Sequence, residues 1–82
     1  MRFKYINDIE DWLKPLDYQA FWEEVGPYNL TLQPRDHCDR EIASGLVTEQ
    51  VVLDVLKNMV RIELGRILGL ERRAELPDVT WH

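Results

Sequence analysis

Residues 48–70, "TEQVVLDVLKNMVRIELGRILGL", constrain this chain more than any other stretch. At about 100° per residue from Val51, the apolar side chains Val51, Val52, Leu53, Val55, Leu56, Met59, Val60, Ile62, Leu64, Ile67 and Leu68 sweep about 260°. The polar wedge left over holds Asp54, Lys57, Asn58, Arg61 and Gly65. A surface helix needs an apolar stripe of only about 100°. A helix with this arc must be covered on most sides, by the rest of the chain or by a second copy of it.

The ends of this helix are marked. Thr48 is an N-cap residue, and Val47 is placed to staple against Val52. Gly69 stands at C′ of a Schellman end with Leu70 as the hydrophobic C″ residue. Gly65 has no capping role, and a glycine inside a helix costs about 1 kcal/mol relative to alanine. Close approach of another helix is therefore expected there. Glu63 and Arg66 interrupt the apolar arc three residues apart. They are expected either to pair on the helix and reach for water, or to set register at an interface between chains. Met59, Glu63 and Arg66 are the interface candidates on this helix.

Eighty-two residues make one domain, ending in a polar tail over 70–82. A core this small usually needs support from disulfides, metal or a partner chain. The single cysteine rules out a disulfide within the chain and fits a reducing, cytoplasmic setting. Residues 1–12, "MRFKYINDIEDW", have no apolar stretch of the kind a secretory signal needs. The long helix carries Asp54, Lys57, Arg61, Glu63 and Arg66, so it is not expected to span a membrane.

Two short helices are expected ahead of it. Asn7 stands as N-cap with Glu10 at N3, and Ile9, Trp12, Leu13 and Leu16 form one stripe until Pro15 breaks the run at Lys14. Asp17 caps a second helix with the same spacing in Tyr18, Phe21, Trp22 and Val25, closed by Gly26 and Pro27. Residues 2–6 and 28–33 alternate weakly, so a minor two-stranded β-ribbon is a further expectation. Seven of the eight aromatics lie in residues 1–28. They pack the helical hairpin, yet Trp12, Trp22 and Tyr28 are more aromatic surface than two short helices readily hide, which makes them interface candidates.

The stretch "RDHCDRE" at 35–41 sets His37 beside Cys38. On a helix it yields i, i+4 pairs Arg35–Asp39, Asp36–Arg40 and His37–Glu41, with Cys38 on the apolar side above Ile42. Adjacent helical residues diverge by about 100°, so His37 and Cys38 do not converge on one metal ion. A structural zinc site wants four Cys or His ligands, and the chain has one Cys and two His. This stretch reads as one turn of a charged helix.

The net charge is −5 and no segment is basic, so direct nucleic-acid binding lacks its electrostatic source. Neighbouring acids such as Glu23 and Glu24 diverge on a helix rather than forming an acid–base pair. No phosphate-binding glycine loop, nucleophile elbow or metalloprotease motif occurs. The sequence points to a mainly α domain: a helical hairpin, a short helix and a long central helix. Its expected role is a non-enzymatic protein-interaction module, a small homodimeric accessory or regulatory protein with no cofactor and no metal. The competing expectation is an acidic inhibitor that mimics nucleic acid against a nucleic-acid-handling protein.

Overall fold

A computed structural model describes residues 3–73 as four α-helices: α1 (Ile6–Leu13), α2 (Tyr18–Val25), α3 (Arg35–Ser44) and α4 (Glu49–Leu68). The long helix is the spine, and the other three pack against it. Val52, Leu53, Leu56, Val60 and Leu64 form its buried row. They meet Ile9 and Leu13 of α1, Tyr18, Phe21 and Val25 of α2, and Cys38 of α3 in one core. No polar or charged residue is buried among the described residues. No helix among them is long and apolar enough to cross a membrane.

Both ends of α4 are capped as the sequence predicts. The Val51 N–H donates to Thr48 Oγ1 at 3.2 Å. At the far end Gly69 takes a left-handed φ of 67°. The Leu70 N–H reaches the Gly65 carbonyl at 2.9 Å and the Gly69 N–H the Arg66 carbonyl at 3.2 Å, the two bonds of a Schellman motif. Gly45 ends α3 in the same left-handed conformation, φ 83°, with its N–H donating to the Ile42 carbonyl at 3.1 Å. Asp17 caps α2 by accepting from the Ala20 N–H at 2.8 Å.

Four expectations are corrected. No strand occurs among the described residues, so the β-ribbon is absent there. Its backbone donors are used elsewhere: the Lys4 and Tyr5 N–H groups both donate to Asp8 Oδ2, at 2.8 and 2.9 Å. These bonds also move the start of α1. Tyr5 is the N-cap and Asp8 the N3 acceptor, in place of Asn7 and Glu10. At Pro15, Lys14 keeps helical angles, φ −52° and ψ −47°, so the helix ends because proline offers no N–H to continue it. Gly26 is likewise right-handed, and the chain runs on into a 3₁₀ turn, Gly26–Tyr28. The left-handed residue that closes it is Asn29, at φ 53°.

Residues 70–73 return along the start of α1. Leu70 packs on the core, and the Glu71 carbonyl accepts from the Ile6 N–H at 3.1 Å. That bond satisfies a donor that a helix N-terminus leaves without an internal partner. The Arg73 N–H donates to Asn7 Oδ1 at 2.7 Å, so Asn7 holds this return segment instead of capping its own helix. Gly65 is explained by the same crossing. A Cβ there would lie 3.4 Å from Ile6 Cγ1. The close approach expected at Gly65 is thus made within the chain, by α1.

Candidate functional site

Half of the wide apolar arc is left uncovered. The helices α1, α2 and α3 sit over the row that contains Leu56 and Val60. On the outer side, Val51, Val55, Met59 and Ile62 remain 50 %, 54 %, 38 % and 54 % exposed. Their spacing of four, four and three residues sets them in one line along α4. Arg66 lies one turn further on and is exposed. Beside this stripe runs an apolar groove of about 210 Å³, formed by Val47, Val51, Val52, Val55, Leu56 and Met59, with Gln33 and Glu41 as its polar wall. Leu46, in the turn between α3 and α4, is 80 % exposed and extends the apolar surface at the helix start. The stripe presents on the order of 500 Å² with Leu46 included, within the 300–600 Å² typical of the largest, often functional, patch on a monomer.

The six residues singled out from sequence fall in separate places. Met59 lines the groove. Glu63 is half-buried and Arg66 exposed, and no ion pair joins the two among the described residues. Trp12 and Tyr28 come together with Phe3, at ring-centroid distances of 5.1 Å (Phe3–Trp12), 6.4 Å (Phe3–Tyr28) and 5.5 Å (Trp12–Tyr28). The Trp12 indole donates to Glu24 Oε1 at 3.2 Å, which ties α1 to α2. Trp22 belongs to another cluster, edge-on to Phe21 at 5.2 Å and Tyr18 at 6.2 Å. Its indole N–H is buried with no acceptor in hydrogen-bonding geometry. None of the three aromatics lines the α4 groove. Trp12 and Trp22 are largely taken up by the hairpin's own packing, and Tyr28 stays 38 % exposed.

Val51, Val55, Ile62 and Leu46 were not picked out individually from the sequence, and they make up most of the outer surface. Their signal was present in the width of the arc. Separating the covered half from the open half required knowing where the other helices sit.

Several charged residues are paired within the chain. Glu10 is held by two arginines: Arg72 bidentately, at 3.1 and 2.6 Å, and Arg61 at 3.7 Å. The hydrogen bonds from Arg72 hold the Glu10 carboxyl below its ordinary pKa. On α3, Arg35–Asp39 (3.8 Å) and His37–Glu41 (3.4 Å) close as i, i+4 pairs, and Asp36–Arg40 does not. Asp39 also accepts from the Tyr18 hydroxyl at 2.6 Å. Burial first and that bond second push the Tyr18 pKa up to about 12. Cys38 is fully buried, and its thiol is pushed up by burial and then by Glu41 and Asp39. A thiol so placed carries little thiolate and is a poor nucleophile. Among the described residues no three His, Cys, Asp or Glu side chains are grouped to hold a metal ion. What the surface offers chemically is an apolar stripe with one cationic end and an acidic groove wall. Neither known family models, curated proteins nor solved structures give a match to the chain.

Proposed function

We propose that the chain is a non-enzymatic interaction module that pairs with a second copy of itself through the outer face of α4, as a small cytoplasmic accessory or regulatory protein. The observation that carries this reading is the line Val51, Val55, Met59 and Ile62, each left between 38 and 54 % exposed on a helix whose buried row, Val52, Leu53, Leu56, Val60 and Leu64, packs against the other three helices. Four aligned apolar side chains open to water are costly to leave bare, and a matching face removes them from it. With a polar rim, such a stripe approaches the roughly 800 Å² per partner of a standard interface. In a two-fold pair the same patch serves both chains, so one exposed stripe is sufficient.

The same observation favours self-association over acidic mimicry of nucleic acid, since a mimic presents charge and this face presents methyl groups. A non-enzymatic role fits the buried, protonated Cys38 and the pairing of His37 with Glu41 at the surface. The unpaired thiol suits the cytoplasm.

Sedimentation equilibrium across a concentration series tests the proposal. The average mass is expected to rise from 9.8 kDa toward twice that value. Val55→Asp, which sets a carboxylate in the middle of the stripe, is expected to hold it at the monomer value with the helical circular dichroism unchanged. A wild-type chain that stays monomeric up to about 100 µM, where an interface worth about 5–6 kcal/mol would be half assembled, overturns the reading.

A further inference from the structure

We infer that the two copies pair antiparallel, about a two-fold axis crossing α4 between Val55 and Met59, with Arg66 of each chain beside Glu41 of the other. The inference rests on the self-association reading and adds the geometry of the pair.

The stripe is nearly symmetric about its own middle. Residues at equal distances on either side of position 57 are Val55 and Met59 near the centre, and Val51 and Ile62 further out, within one residue. Turned end for end, the stripe therefore meets itself apolar on apolar along its length. The groove beside it runs along the first half of the helix and is lined by Val47, Val51 and Val55. In the antiparallel arrangement the Met59 and Ile62 side chains of one copy come against that lining in the other. Leu46, 80 % exposed in the turn before α4, then lies near the partner's helix end.

Charge selects the same orientation. Arg66 is the cation at the C-terminal end of the stripe, and Glu41 is the carboxylate of the groove wall near its N-terminal end. Antiparallel pairing carries each Arg66 toward a Glu41. Parallel pairing sets Arg66 level with Arg66 and Leu46 with Leu46, which opposes like charges. The antiparallel arrangement also opposes the two helix dipoles favourably. A pairing of Glu63 with Arg66 across the axis would require the axis to move to about position 64–65, which carries Val51 and Val55 out of contact.

Engineered cysteines separate the arrangements. A tagged Val55→Cys chain is mixed with an untagged Met59→Cys chain and oxidised with a glutathione couple. Cys38, fully buried, stays out of the exchange. The expected product is the mixed 55–59 disulfide in clear excess over both like pairs. Predominance of 55–55 and 59–59 species overturns the antiparallel geometry and leaves self-association standing. A dimer by sedimentation that gives none of these cross-links overturns it too, and places the contact on another surface. A chain monomeric by sedimentation removes the self-association reading and this inference with it. Charge exchange is the second measurement. Arg66→Glu is expected to weaken the dimer at least tenfold, and Glu41→Arg added to the same chain to restore most of the loss. A double variant as weak as the single one overturns the Arg66–Glu41 contact.

Discussion

Replacing Gly65 by alanine tests whether the one glycine of α4 without a capping role serves the chain's own fold or a contact between chains. An alanine Cβ at position 65 would lie 3.4 Å from Ile6 Cγ1 and 3.7 Å from Ile6 Cδ1, at the close edge of ordinary van der Waals contact. The neighbour is the movable side chain of Ile6 rather than backbone. A glycine in a helix interior costs about 1 kcal/mol relative to alanine, and so near the helix end roughly half of that is recoverable. The buried methyl contributes up to about 0.8 kcal/mol. A small displacement of Ile6 takes back about 0.5 kcal/mol. The expected net effect of Gly65→Ala is a gain of about 0.5–1 kcal/mol, or a melting temperature higher by about 2–8 °C for a domain of this size. Thermal circular dichroism of both proteins at one shared concentration measures it, since self-association makes the midpoint concentration-dependent. The sedimentation behaviour is expected to stay as in the wild type. Gly65→Val, with two further carbons against Ile6, is expected to cost about 1–3 kcal/mol by forcing the start of α1 outward. A Gly65→Ala protein that melts several degrees lower, or that loses its dimer, would refute the reasoning.

Three further outcomes are expected. Glu10 has a depressed pKa in the folded protein, so its contribution is full above the ordinary carboxylate value of 4.5 and is lost as pH falls through the lower folded value. Urea midpoints measured between about pH 2 and 6 should therefore fall less steeply for Glu10→Gln than for the wild type; because the side chain is 38 % exposed, the loss at neutral pH should stay under about 1 kcal/mol. Cys38 should resist a thiol reagent in the native state and react at once in denaturant, and native labelling within seconds would contradict its burial. One of the three tyrosines should ionise late in an ultraviolet titration, near pH 12. Tyr18→Phe should remove that late step and cost about 1 kcal/mol for the lost bond to Asp39. The raised Tyr18 pKa adds stability that is complete below pH 10 and fades as pH rises toward 12.

Local chemistry determined the parts of this protein that local chemistry can determine. Thr48 and Gly69 bracket α4 because a hydroxyl acceptor and a left-handed glycine satisfy helix ends whatever lies around them. Asp17 and Gly45 act in the same way for α2 and α3. The i, i+4 spacing likewise placed Arg35 against Asp39 and His37 against Glu41, and turned Cys38 inward. Tertiary structure decided whatever depended on a distant part of the chain. Asn7 and Glu10 have the residue types and spacing of a capping box, yet residues 71–73 return to α1 and claim both side chains, so Tyr5 and Asp8 start the helix instead. Gly65 carries no local signal of its neighbour, because Ile6 lies far away in sequence and meets it only when α1 crosses α4. The apolar arc of α4 showed that the helix needed cover on most sides. It held no information on which side would receive it, because an amphipathic pattern records a side chain's tendency to leave water and not the identity of what it meets. Three short helices reach only one side of the long one, and they leave exposed the line from Val51 to Ile62, together with Ile67 near the helix end.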